Sequence, residues 1–253
     1  MSFNIPHSER EKVIKTFKRH ILDTVILRMD FADLFDAKEL ASKIVAKFAT
    51  DFPQRSEQME ELLGQTESAI VPVKKITSHL LSNVETRNHI KVSPNSISFE
   101  YKTYETFEGL IEAFKGVFTI YQSLYPGNQI LRIGLRKINF YDKGEEASLE
   151  KFEGYLNDLL LPGMNNKYFD VNLSQELHIY MIKGEKEEEP SINFKYGTVK
   201  MEGKRRLVID VDGYSSEGLT GETVIKRFKQ INNKIFDIFF WSIGEKTKEY
   251  LIR

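Results

Sequence analysis

The sequence predicts an α+β fold, with a few long amphipathic helices packed on one face of a largely antiparallel sheet. Three observations predict it. Apolar and polar residues alternate over long runs at Ile21–Phe31, Ile130–Tyr141, Val171–Lys183 and Ser191–Met201, the period of strands with one buried face. The later runs are separated by short turn-forming segments, as in an antiparallel meander. Phe107–Leu124 and Gly221–Trp241 instead carry their apolar residues at the three-to-four spacing of a helix.

Along the chain, residues 1–20 are polar and charged. In Ile21–Phe31, Val25, Leu27 and Met29 alternate with Thr24, Ile26 and Arg28. A helix follows, with Leu40, Ala41, Ile44, Val45 and Phe48 on one stripe, Asp33 or Asp36 as its cap, and Pro53 as its stop. Gln54–Gln65 is polar and acidic and reads as a second short helix. Ala69–Val73, His79–Ser82, His89–Val92 and Ser96–Tyr101 read as short strands, with a turn at Pro94-Asn95. The Phe107–Leu124 stripe is Phe107, Leu110, Ile111, Phe114, Val117, Phe118, Tyr121 and Leu124, ended by Pro126-Gly127-Asn128.

After the Ile130–Tyr141 strand comes a polar turn, Asp142–Glu146, and a helix over Leu149–Leu161 closed by Pro162-Gly163. The meander then runs through Val171–Lys183, a charged loop Gly184–Pro190, Ser191–Met201, a tight turn at Glu202-Gly203-Lys204, and Arg206–Asp212. Gly213–Gly221 reads as a loop, and Thr220 as the cap of the last helix, with Glu222 near its positive end.

The chain reads as one domain, 1–253. The stripes Ile111, Phe114, Val117, Tyr121, Leu124, Tyr125 and Ile225, Phe228, Ile231, Ile235, Ile238, Phe239 superpose at a constant sequence offset, each after an alternating strand and a polar loop. Pseudo-repeat halves at 21–145 and 146–253 would account for that.

Composition restricts the chemistry. With 36 Lys+Arg against 37 Asp+Glu, the net charge of −1 disfavours a general nucleic-acid coat and leaves room only for a local basic groove. No cysteine is present, which excludes disulfides, thiolate metal sites and a cysteine nucleophile. The five histidines, His7, His20, His79, His89 and His178, lack helical metal-ligand spacing. No stretch has the length and apolarity of a membrane span, and the first ten residues hold no apolar run of the signal-peptide kind. A cytoplasmic protein that does not enter the membrane is expected.

Leu131–Asn139 reads Leu-Arg-Ile-Gly-Leu-Arg-Lys-Ile-Asn. It resembles a strand shared by a sporadically distributed family of bacterial and archaeal proteins of similar length, with an Ile-Gly-Leu-Arg-x-Ile-Asn core. Lys137 stands where that family usually has an aromatic. The Tyr101–Phe107 segment and the C-terminal Phe240-Trp241-Ser242-Ile243, followed by a short charged helix, are similar too. The resemblance implies no activity, cofactor or catalytic residue. Patchy occurrence implies mobile or defence-associated genes.

Several side chains are candidates for a site. Arg132 and Arg136 share a strand face about 13 Å apart, too far to grip one small carboxylate but able to line a groove for an extended acidic partner. Asn139, Tyr101, Tyr104 and Trp241 complete the set of partner- or ligand-binding candidates, although Trp241 also ends an apolar stripe as a core or interface anchor would. Glu100-Tyr101-Lys102 matches a nuclease-type Glu-x-Lys, and Asp210-x-Asp212 puts two carboxylates on one side of a strand, a pattern that can hold a divalent metal. Lys12, Lys15, Lys18 and Arg19, with Ile14 and Phe17, form a basic N-terminal patch, read chiefly as a helix lying on the domain.

No Walker, Gly-x-Gly-x-x-Gly or Gly-x-Ser-x-Gly motif occurs. The expectation is therefore a non-catalytic protein, without a cofactor, that binds a macromolecular partner. A protein partner is favoured and a homodimer is expected, in a defence or toxin–antitoxin-like setting. Two alternatives stand beside it: a metal-dependent phosphodiesterase or nuclease built on Glu100, Lys102, Asp210 and Asp212, and a small-molecule sensor with an aromatic-lined pocket.

Overall fold

The alternation at the start of the chain becomes strand β1, Leu22–Phe31, whose Val25, Leu27, Met29 and Phe31 are all buried. The computed structural model describes residues 7–34, 37–65, 70–142, 152–164, 175–184, 189–202, 204–216 and 219–253. Within them the elements run α1 (His7–Thr16), β1, α2 (Lys38–Phe48), β2 (Gln54–Gln65), β3 (Ile70–Asn83), β4 (Asn88–Ser93), β5 (Ser96–Tyr101), α3 (Phe107–Leu124), β6 (Ile130–Asp142), α4 (Leu161–Met164), β7 (Gln175–Ile182), β8 (Ser191–Met201), β9 (Lys204–Ser215), α5 (Thr223–Ser242) and α6 (Glu245–Ile252). The fold is α+β, and the strands form a nine-stranded antiparallel sheet in the order β2-β3-β4-β5-β1-β6-β9-β8-β7.

The chain divides into two compact units that interleave in sequence. One holds the described residues of Thr24–Gly134 and Ser216–Lys226. In it β2, β3, β4 and β5 form a meander and β1 pairs antiparallel with β5, setting Leu27 opposite Phe99 and Met29 opposite Ile97. That face carries a run of touching rings: Phe31–Tyr121, Tyr121–Phe118, Phe118–Phe114 and Phe114–Phe99, with centroids 4.7 to 6.3 Å apart. Such a stack gains both apolar burial and ring–ring attraction. Helix α3 starts where Thr106 accepts a hydrogen bond from the Gly109 amide at 3.1 Å. The Pro94-Asn95 turn joins β4 to β5 as the sequence predicts.

The other unit holds the described residues of Met1–Asp23, Leu135–Ser215 and Arg227–Arg253. Here β7, β8 and β9 form the meander, β6 neighbours β9, and α5 follows β9. First strand beside last meander strand, then a helix, is the connectivity of both units. Gly213 belongs to β9 because a Cβ there would lie 2.6 Å from Ile231 Cγ2 and 2.9 Å from Ile192 Cδ1, so α5 could not approach as it does.

Several segments differ from expectation. Gln54–Gln65 is a strand, not a helix; it pairs along its length with β3, and that pairing, rather than an apolar face, selects its backbone. Ala69 and the turn beyond Asp142 lie outside the described residues, as does Val171–Ser174; the two runs at 70–73 and 79–82 are one strand. Helix α2 has Ala37 at its cap position without a side-chain bond, so Asp33 does not cap it, and Asp36 is outside the described residues.

In place of the helix expected over Leu149–Leu161, the chain from Phe152 on makes turns and then a short 3-10 helix, Asp158–Leu160, that leads into α4. Phe152, Leu156 and Leu160 are buried as a helical stripe would be. Leu156, however, bridges to Ile243, and Asn157 donates its amide to the Ser242 carbonyl and its Nδ2 to the Trp241 carbonyl, both at 2.9 Å. Pro162 and Gly163 fall inside α4 rather than ending a helix. The loop after β9 begins after Ser215, and Thr220 does cap α5, accepting from the Thr223 amide while Thr223 Oγ1 accepts from the Thr220 amide.

Candidate functional site

Strand β6 places its two sequence-predicted cations differently. Arg136 donates from Nε and Nη2 to the two carboxylate oxygens of Asp210 on β9, at 2.8 and 2.6 Å, a bidentate bridge to a buried carboxylate. Lys137, on the opposite face, donates to Asn232 Oδ1 of α5 at 2.8 Å. Asn139 is buried and donates to the Ile209 carbonyl at 3.1 Å. These contacts occupy the residues in holding β6, β9 and α5 together. Arg132 is half-buried and its neighbour Leu131 is exposed.

Tyr101 and Tyr104 sit at and just beyond the end of β5. Asn88 holds the backbone there: its Oδ1 accepts from the Lys102 and Thr103 amides at 2.9 and 3.0 Å. Tyr101 packs against Phe52 and Phe99. Burial, with the Asp51 carboxylate second, pushes its hydroxyl from 10 up to about 12, and burial likewise raises Tyr104. Such phenols are packing groups more than surface binders. Because the unfolded chain ionises near pH 10, the contribution of Tyr101 is complete below pH 10 and is lost as pH climbs toward 12. Urea midpoints measured across that window should fall more steeply for wild type than for Tyr101→Phe, and equal slopes would contradict this environment. Trp241 is half-buried in the last turn of α5.

The carboxylates proposed for a metal are not gathered. Glu100 pairs with His89 at 3.3 Å, Lys102 donates to Thr24 Oγ1, and Asp210 is held by Arg136. Among the described residues no group of three His, Asp or Glu side chains could hold a metal ion. Local spacing on a strand does not by itself bring a third ligand to Glu100 or to the Asp210–Asp212 pair. No described helix is long and apolar enough to cross a membrane.

The surface that stands out was not singled out by the sequence. Strand β7 ends the sheet order and pairs with β8 alone among the described strands. Its side chains Leu177-His178-Ile179-Tyr180-Met181-Ile182 carry no Asp, Glu, Lys or Arg. Ile179 is 59%, Tyr180 50% and Met181 85% exposed. Beneath Tyr180, rings stack across the register onto Phe194 and Tyr196, and His178 stacks on Tyr196 at 5.0 Å. That stack stiffens the edge.

The other end of the sheet, β2, is of the opposite kind. Arg55, Glu57 and Glu60 are exposed there, with Met59 the lone apolar residue among the described side chains 54–60. Natural sheets protect their edges with charges as β2 does; an apolar, uncharged edge offers unpaired backbone groups and side-chain contacts to an incoming strand. No family model matches the chain, and no curated protein matches its sequence.

Proposed function

We propose that this chain is a non-catalytic binding protein that engages a protein partner as an added strand along β7. The observation that carries this reading is the contrast between the two sheet ends: three consecutive exposed apolar side chains on β7, against a charged β2. Main-chain hydrogen bonds would supply affinity, and the side chains of Ile179 and Met181 would supply selectivity on one face and Tyr180 on the other. The pairing of Arg136 with Asp210 weakens the alternative of an arginine-lined groove for acidic chains or nucleic acid. The resemblance carried by Ile133–Asn139 directs the search for the partner to defence or toxin–antitoxin-like systems.

The test is capture from native cells on immobilised wild type and on I179K/M181K. Both substitutions are at exposed positions, so the fold should tolerate them. A protein retained by wild type and lost with the variant is the expected result. The same proteins retained equally by both would refute strand addition at β7.

A further inference from the structure

We propose that α1 is a latch: a separable helix that lifts off α5 as one unit while the rest of the chain stays folded, uncovering a seat made of Phe236, Asp237 and Phe240. The inference is independent of β7, and latch and seat belong to one compact unit.

The latch is thinly attached. Arg10, Val13 and Phe17 recur at the spacing of one helix face, and they are the half-buried side chains of 8–17; the others are exposed and none is buried. Helices α2, α3, α5 and α6 each bury two or more. Apolar burial therefore does little to hold α1. A ten-residue helix is also marginal by itself in water, so α1 unwinds when it leaves its seat.

What holds it is mostly polar. Arg10 grips both carboxylate oxygens of Asp237, at 2.5 and 2.7 Å, and Phe17 meets Phe236 with ring centres 6.4 Å apart. Asp237 is 1% exposed beneath this cover. A carboxylate in that place suits both states. Covered, it is paired; uncovered, it takes water, and no charge is stranded. An apolar residue there would be left bare on opening. The seat also keeps its shape through contacts that α1 does not make: Phe236 and Phe240 stack 5.9 Å apart, and the Lys248 ammonium lies 5.1 Å from the Phe240 ring centre.

The hinge is fixed from the other side. The Lys18 and Arg19 amides donate to the Leu251 carbonyl at 2.7 and 3.2 Å, and the Arg19 guanidinium lies 5.2 Å from the Tyr250 ring centre. The chain beyond Phe17 is thus fastened to α6, and opening bends the backbone just before Lys18. Helix α1 itself defines the ligand of the seat: a helix with a guanidinium, an aliphatic side chain three residues on and a ring seven residues on.

Native-state hydrogen exchange and a peptide test this on the full chain. In wild type the amides of 11–16 should exchange together, through an opening that requires less free energy than that of β1 and hardly changes with urea. Arg10→Ala/Phe17→Ala should lose that protection and keep it in β1. A labelled peptide of sequence 7–17 should bind the double variant, and should bind wild type about tenfold more weakly or worse, because there the chain's own α1 competes. The same peptide carrying Arg10→Ala should bind neither. Amides of 11–16 that open only together with β1, or that lose protection one after another from the helix start as in fraying, would overturn the proposal. So would a folded double variant that does not take the wild-type peptide. Should the double variant misfold, the exchange pattern of wild type decides alone.

Discussion

Arg10→Ala should cost about 3 to 5 kcal/mol of folding stability, an effect out of proportion to a residue in a polar N-terminal helix. The reason lies in α5. Asp237 sits in the middle of its apolar stripe and is 1% exposed. Arg10 of α1 reaches it with two hydrogen bonds, Nε to Oδ1 at 2.5 Å and Nη2 to Oδ2 at 2.7 Å, and is itself largely shielded. Phe17 packs against Phe236, and the Lys18 and Arg19 amides donate to the Leu251 carbonyl at 2.7 and 3.2 Å. The N-terminal helix is thus a structural cover over a buried carboxylate, which agrees with the reading of the basic patch as a helix lying on the domain.

Removing the guanidinium leaves that charge buried without its counter-ion. Replacing the pair by apolar residues, Arg10→Met with Asp237→Leu, should recover most of the loss, since desolvation of both charges is then avoided. Urea unfolding of the two single variants and the double variant measures this. A loss under about 0.5 kcal/mol for Arg10→Ala, the range of ordinary surface substitutions, would show that α1 is not held as described.

What could be read from the sequence follows from which interactions are local. The buried sides of β1, α3, β8 and α5 were legible because one buried face imposes its own period on the residues, as at Val25, Leu27, Met29 and Phe31. Strand β2 was not legible. Gln54–Gln65 has no apolar face to announce it, and its backbone is set by β3. The Phe152, Leu156 and Leu160 positions were legible as buried and misleading as a helix. The hydrogen bonds of Asn157 to the Ser242 and Trp241 carbonyls come from a distant part of the chain, and no local pattern encodes them.

The site shows the same division more sharply. The uncharged run in β7 can be read in the sequence, but its rank at the end of the sheet is a property of the whole strand order. Arg136 and Asp210 each stood out alone, one as a groove arginine and one as a metal ligand. They are 74 residues apart and satisfy each other. A lone charged residue on a strand invites a functional reading when its partner lies beyond the reach of local spacing.

Arg136→Ala should lower stability by about 2 kcal/mol, less than Arg10→Ala although the bridge has the same bidentate form. Two features of the site reduce it. The Arg136 side chain is 37% exposed, so water already screens the pair and can reach Asp210 once the guanidinium is gone. The register also sets Lys195 of β8 directly opposite Asp210, on the same face of the sheet, where it can supply a second positive charge. The loss should therefore grow, by about 1 kcal/mol, when Arg136→Ala is made in a Lys195→Met background. Arg136→Lys should restore only part of the stability, because an ammonium cannot make the paired bonds to both oxygens. Denaturant midpoints of the four chains give the coupling. If the two losses simply add, Lys195 is no substitute for Arg136. If Arg136→Ala leaves stability intact and abolishes partner capture while β7 is unaltered, the arginine faces a partner after all, and the bridge to Asp210 is not what keeps it in the strand.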